Sequence, residues 1–363
     1  MNRYRLLAAA IAVAAGLIPA TATANTGTAG IPAACADLAP IQLAADHWIA
    51  GNPTFGDSTW FNALFIKGDL EVFRMTGNAK YLTYATGWAN HNKWLLPAHA
   101  PNDDGPEASQ EYIDLFQLDP KHPARDITDA LRYVNTTTAA IESGKPSNMT
   151  YVDSVELGAL SAFAHFGVVN KSAADLDAMG KLFAFPLGHI YDTKNSLWWR
   201  DSRWVGTTTH WSRGNGWIVL SLTNTIAALP ATDPHRAQYI SLLQTMFAKL
   251  KATQQPGGFW TADVDHPAEF PAPESSGTSF FTYAMAKGIQ AGYLDATTYT
   301  PVVHKAWQWL KTTALHSDGV VGFVQGPSSQ PSQHQPISPT ATSNYGVGAF
   351  LMAGVEASKF DGC

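Results

Sequence analysis

The densest group of chemically capable side chains in the sequence is Trp211-Ser212-Arg213-Gly214-Asn215-Gly216-Trp217, preceded by His210. Two glycines bracket Asn215 and allow either a close backbone approach or a positive φ. An apolar helical pattern follows from Trp217, so Arg213 and free backbone N–H groups are expected together at a helix N-terminus, where an anion is favoured. Arginine also grips a carboxylate through two parallel hydrogen bonds, and Trp211 and Trp217 offer faces on which a sugar ring can lie. The plainer alternative is a structural glycine turn with a surface arginine and two core tryptophans.

Two acidic segments complete the set. In Thr150-Tyr151-Val152-Asp153, just before an apolar run, Asp153 is either the acidic partner of a capping box or a carboxyl aimed into a pocket from a helix start. In Asn102-Asp103-Asp104-Gly105, Asp-Gly is ordinary turn chemistry, but the loop falls at the end of a helical hairpin as the other two do. The sequence has no H-E-x-x-H, cysteine cluster, G-x-S-x-G elbow, P-loop or dinucleotide fingerprint. Twelve histidines are scattered without ligand spacing. No metal or cofactor is therefore expected. Carboxylates and aromatic faces are left, and these are the materials of carbohydrate chemistry.

Helical periodicity dominates the elements that would position these residues. Trp60 to Phe73 ends at Gly77, and a run from Tyr81 to Trp88 follows. Val152 to Phe166 ends at Gly167 before Ala173 to Phe185; Trp217 to Leu229 ends at Pro230 before Pro234 to Leu250; Ser279 to Ile289 ends near Gly292 before Tyr299 to Leu310. With Leu38–Ile49, Ser109–Phe116, Ile127–Ile141 and Val347–Ala357 this gives about twelve helices in pairs, the mark of a helical repeat. Strand signals are confined to pieces such as Leu197-Trp198-Trp199 and Gly258-Phe259-Trp260. The expected fold is all-α, an (α/α)6 toroid in a single domain: six hairpins closed into a ring around a funnel, with an open solenoid as the alternative. Gly326 to Ser343, rich in Pro, Ser and Gln, is expected to be a partly ordered loop over one mouth.

Composition bounds the rest. Of 363 residues 45% are apolar and only 14% charged, which excludes disorder. The formal charge of −6, with no long basic run, makes nucleic acid and anionic membranes poor partners. Arg3 and Arg5, the apolar run Leu6–Leu17 and the exit Ala22-Thr23-Ala24 have the order of a secretory signal peptide. Residues 1–24 are thus expected to be removed, leaving 25–363 as an exported domain, secreted or periplasmic. Export permits a disulfide. Cys35 and Cys363 lie near the two ends of the remaining chain, so they are either a bridge between neighbouring termini or two unrelated thiols.

Trp211-Ser-Arg-Gly-Asn-Gly-Trp217, Asp153 at its helix start and Pro273-Glu-Ser-Ser-Gly277 resemble motifs of the unsaturated glucuronyl and rhamnogalacturonyl hydrolases, glycoside hydrolase families 88 and 105, with the likeness to family 105 closer. The likeness runs from roughly Trp60 to Leu351 and implies the same (α/α)6 fold. It also implies removal of a 4,5-unsaturated uronic acid from the non-reducing end of lyase-generated oligosaccharides. The reaction is hydration of the C4=C5 enol ether, with no attack at the anomeric carbon. By the same resemblance Asp153 is the general acid/base, and Asp104 or Asp103 is the second carboxylate. Tyr151 stands where relatives place a tryptophan. Trp60, His210, Trp211, Arg213, Asn215 and Trp217 would bind an anionic oligosaccharide. The segment Tyr191-Asp-Thr-Lys-Asn-Ser-Leu-Trp-Trp-Arg200 departs from relatives that carry a histidine there and is similar to a Trp-Trp-Arg-Asp subgroup, leaving galacturonyl and glucuronyl substrates both open. The alternatives in other classes are a different toroid enzyme (an ordinary glycosidase or a polysaccharide lyase) and a non-catalytic carbohydrate-binding protein.

Overall fold

The computed structural model describes residues 35–97, 105–122 and 124–363. The expected signal peptide, and Asp103 and Asp104, lie outside the described residues. Among the described residues, thirteen α-helices alternate between an outer and an inner layer. The outer helices are α1 (Leu38–Gly51), α3 (Ala79–His91), α5 (Thr128–Glu142), α8 (Ala173–Ile190), α10 (Pro234–Thr253) and α12 (Ala296–Trp309). The inner ones are α2 (Trp60–Thr76), α4 (Ala108–Leu118), the broken pair α6 (Asp153–Leu157) and α7 (Leu160–Val169), α9 (Ser212–Ala228), α11 (Ser275–Gln290) and α13 (Asn344–Ser358). Inner neighbours touch in the order α2, α4, α6–α7, α9, α11, α13, and α13 packs back on α2, so the ring closes. This is the (α/α)6 toroid expected from the sequence. Two short hairpins, β1 (Tyr191–Asp192) with β2 (Leu197–Trp198) and β3 (Trp260–Thr261) with β4 (Pro273–Glu274), sit in the links that lead into α9 and α11.

Local chemistry explains most boundaries. Gly77, at φ 64°, terminates α2 in the left-handed region. Asn78, Ser172, Asp233 and Asp295 cap α3, α8, α10 and α12 through side-chain oxygens. Glu274 does the same for α11, accepting from the N–H groups of Ser276 and Gly277. That accounts for the acidic residue in the Pro273–Gly277 motif. Helices α9, α11 and α13 of the inner layer are buried nearly all round.

Three sequence expectations need correction. The run from Val152 to Phe166 is not one helix. It breaks at Gly158 and at Ala159, which stands at φ 54°, where the Tyr133 hydroxyl donates to the Gly158 carbonyl. Thr150 does not head a capping box, because Val152 occupies the N-cap and Thr150 is exposed. Helix α9 begins at Ser212, five residues before Trp217. Gly214 and Gly216 are therefore inside a helix, and close packing is what requires them. A Cβ at Gly214 would lie 2.7 Å from the Trp211 ring, and one at Gly216 would lie 2.8 Å from Phe280.

The N-terminal ends of the inner helices gather at one mouth of the ring, where residues of α2, α6 and α9 share a cavity. Their C-terminal portions gather at the other, where Arg74, Asp114, Asn224 and Lys287 line a second. Cys35 and Cys363 form a disulfide with Cα atoms 5.2 Å apart. Among the described residues no helix is long and apolar enough to cross a membrane.

Candidate active site

Asp153 opens α6 at the N-terminal mouth. It lies on a cavity of about 310 Å³, lined also by Trp60, Leu157, Arg200, Arg213, Pro327, Ser328, Ser329 and Gln333. Its side chain is 10% exposed, and Oδ2 accepts from Arg200 Nε at 3.1 Å. The segment is held from one side. Val152 N–H donates to the Arg200 carbonyl, and Tyr151 forms an antiparallel bridge with Asp201. Ser154 Oγ closes the turn onto the Tyr151 carbonyl at 2.6 Å. The loop from 326 to 343, expected over one mouth, forms the cavity's outer wall through Pro327, Ser328, Ser329 and Gln333.

Arg213 borders the cavity but is 1% exposed, and its fork is already engaged. Nη1 donates to the Gln325 carbonyl at 2.7 Å and Nη2 to the Gly326 carbonyl at 2.8 Å. The guanidinium is sandwiched against Trp211 and Tyr345, at 4.8 and 4.9 Å from their ring centres. Its site in this structure is that of an anchor for the 326–343 loop. Both outer nitrogens of the expected carboxylate-gripping fork are thus taken up by the loop backbone. Gln325 reinforces the anchor: its Nε2 donates to the Gln330, Pro331 and Gln333 carbonyls, and its Oε1 accepts from Trp211 Nε1.

The other residues of the tryptophan–glycine motif are likewise supports. Asn215 is fully buried and ties α9 to β2, with Oδ1 accepting from Trp198 N–H and Nδ2 donating to the Trp198 and Trp211 carbonyls. Trp217 is buried between Phe280 and the edge of Trp60. His210 is 0% exposed, with Nδ1 2.7 Å from Asp265 Oδ2 and Nε2 3.3 Å from Asp192 Oδ2. His210, Trp211, Asn215 and Trp217 are thus buried beside the cavity and are not part of its lining. Of the aromatics, Trp60 lines the wall, and Tyr151, half-buried, lies under Arg200.

Sequence reasoning missed Arg200. Its guanidinium lies 4.3 Å from the Tyr151 ring centre, its Nη1 donates to Asp201 at 2.9 Å, and its side chain is 19% exposed. Asp201 also accepts from Arg203 Nε and Nη2. Hydrogen bonds from Arg203, and then from Arg200, hold its carboxyl well below the usual carboxylate range against the opposing effect of burial. The signal was present in the Trp198-Trp199-Arg200-Asp201 string, but only the bridge to Tyr151 turns it toward Asp153.

Behind the site lies a buried charge cluster. Lys67 Nζ is 2.7 Å from Glu107 Oε1, 2.5 Å from Glu156 Oε1 and 3.5 Å from Glu111 Oε1. Burial opposes the lysine charge, but the three carboxylates outweigh it and hold the ammonium well above the usual lysine range. Burial pushes Glu107 well up and Glu111 up to about 8, against the pull of Lys67. Taken together, the cavity has a carboxyl group, an exposed cation beside it, an aromatic wall and a polar loop cover. Such a site can bind a small anionic ring and move a proton at it.

Comparisons with known proteins agree with the fold and the motifs. The model of Glycosyl Hydrolase Family 88 matches residues 38–361. An unsaturated 3S-rhamnoglycuronyl hydrolase of Formosa agariphila is 28% identical, over 88% of this chain and 90% of that one. The solved structure of a family 88 glycosyl hydrolase from Bacteroides vulgatus superposes with a TM-score of 0.83 at 30% identity, covering 89% of this chain and 98% of that one. A further solved structure, named as a polysaccharide lyase, has a TM-score of 0.82 at 29% identity over 90% of this chain and 97% of that one. The motifs had pointed to the related families 88 and 105. The match runs over nearly all the described body: the chain belongs to Glycosyl Hydrolase Family 88, to which family 105 is related, and is a glycoside hydrolase.

Proposed function

We propose that the protein removes a 4,5-unsaturated uronic acid from the non-reducing end of oligosaccharides, with Asp153 as the proton donor. The observation that carries this reading is the position of Asp153. It is a nearly buried carboxyl on a cavity that joins the aromatic wall of Trp60, a cation and the 326–343 loop. The relative from Formosa agariphila supports the substrate class, since its name describes an unsaturated rhamnoglycuronyl hydrolase. The inner helices turn their N-terminal ends, the positive ends of their dipoles, toward this mouth, which favours an anionic sugar in a chain of net charge −6.

In this reading Asp153 gives its proton to C4 as the enol-ether electrons form the new C–H bond. Positive charge develops at C5, shared with the ring oxygen. Water adds to C5 and returns a proton to the Asp153 carboxylate, so the acid is regenerated. The resulting hemiketal opens to a ketone at C5, and the hemiacetal left at C1 expels the partner sugar. Asp104 or Asp103 remains the proposed second carboxylate. Export, with removal of residues 1–24 and residence outside the cell or in a periplasm, is part of the same proposal, and the Cys35–Cys363 disulfide supports an oxidising compartment.

The test is the ultraviolet absorbance of the C4=C5 bond in a panel of unsaturated glucuronyl and galacturonyl oligosaccharides. The wild type is expected to abolish it. Asp153→Asn is expected to be slower by about 10²- to 10⁴-fold, the usual contribution of a general acid, with its circular dichroism unchanged. No decay on any substrate, or an undiminished variant, overturns the reading. A lyase is the second reading, favoured by the similar structure of that name. It predicts a gain of the same absorbance from intact polymer.

A further inference from the structure

We propose that Arg200 is an exchangeable latch on Asp153: it pairs with Asp153 in the free enzyme and passes to the carboxylate of the incoming uronate, leaving Asp153 to hold the proton it donates. The inference rests on Asp153 being the acid and adds to that reading the residue that recognises the substrate's charge.

The geometry singles out Arg200. Among the described residues only two cationic side chains line the cavity, and Arg213 has both Nη atoms committed to backbone carbonyls while buried. Arg200 is the more exposed of the two, and its bond to Asp153 Oδ2 is made through Nε alone. Its opposite edge is tethered by Nη1 to Asp201, and the face of Tyr151 fixes its plane. Asp201 does not depend on Arg200 for compensation, because Arg203 grips it through Nε and Nη2. The guanidinium is therefore held at one end and offered at the other, at the edge of the space a sugar would enter.

Charge then decides the sequence of events. A guanidinium beside a carboxylate favours the ionised form, and an ionised Asp153 cannot donate a proton. A uronate carboxylate provides Arg200 with an alternative anion of fork-matching shape and adds negative charge near Asp153. Both changes favour proton uptake by Asp153 from solvent as the substrate binds. Among the described residues, the other charged groups near Asp153 have partners of their own. Arg213 of α9 is bound to the loop, Asp201 to Arg203, and Glu156 of α6 to Lys67, which also holds Glu107 and, in α4, Glu111. Tyr151 meets the site through its ring, under Arg200.

Two pH profiles on one substrate test this, because kcat/KM reports titration in the free enzyme and kcat reports it in the complex. In the wild type the alkaline limb of kcat is expected about one pH unit or more above that of kcat/KM. In Arg200→Gln the two limbs coincide, and KM rises about tenfold or more from the lost charged hydrogen bonds. Arg200→Lys, which keeps the cation and loses the fork, keeps the limbs apart while KM still rises, so a fold defect in the glutamine variant does not leave the question open. Limbs and KM unchanged in Arg200→Gln, with Asp153→Asn inactive, overturn the latch alone. A wild type without turnover overturns the parent reading and the latch together.

Discussion

Where α13 meets α2 the ring is closed by backbone against backbone. A Cβ on Gly348 would stand 2.0 Å from the Leu64 carbonyl oxygen, and one on Gly68 would stand 2.5 Å from the carbonyl of Gly348. On the other flank of the same helix the neighbours are joined through charge. Lys67 reaches Glu107 at the start of α4 and Glu156 in α6, and the helix there is broken at Gly158–Ala159. One arc of the toroid is thus sealed by shape. The arc that carries Asp153 is tied by a buried ion cluster. Shape complementarity gives a rigid wall, whereas the ion cluster can set the positions of two segments that do not touch closely. Glu156 lies three residues after Asp153, and Glu107 lies three after Asp104. Lys67 therefore ties together the helix starts that follow both acidic sequence motifs.

Removing the cation should do the most damage. Lys67→Met leaves three buried carboxylates without their partner and is expected to cost about 3–5 kcal/mol, measured by urea unfolding. Gly348→Ala pushes a methyl group into the Leu64 carbonyl and is expected to cost about 1–3 kcal/mol as overpacking. A larger loss in the glycine variant would reverse the contrast between the arcs. The smallest effect is in pH dependence. Because Glu111 is raised from 4.5 to about 8 in the folded chain, its contribution is full below about pH 4.5 and is lost as pH rises toward 8. Glu111→Gln should therefore show a shallower fall in Tm across that window. An identical slope in the variant would place the buried charge elsewhere in the cluster.

The ring was legible because its information is local. Apolar residues at helical spacing and stops such as Gly77 and Pro230 mark each hairpin, and boundaries shifted by no more than about five residues except where the run from Val152 breaks into α6 and α7. What escaped was decided across the chain. Gly214 and Gly216 look like a turn until Trp211, Val152 and Phe280 are seen against them. Lys67 sits in the apolar string Leu64-Phe65-Ile66-Lys67-Gly68, and its partners are 40, 44 and 89 residues away. The two arginines show the limit most clearly. Arg213 has the better motif, but the loop at 326 takes its fork, while Arg200, in a plainer string, is swung onto Asp153 by a single backbone bridge.

The disulfide between Cys35 and Cys363 has a consequence for how such a repeat array comes apart. An open solenoid has two terminal repeats, each with one exposed face, and it frays from them unless they are specially capped. Here the last inner helix packs on the first, and Cys35 and Cys363, just outside the described helices, are covalently joined. Every described hairpin has a neighbour on both sides, and the stretch from Cys35 to Cys363 forms a covalent loop with no first or last repeat. Opening at the mouth that carries Asp153 must then displace two seams at once, so the described body is expected to lose its structure as a unit and not by peeling from an end.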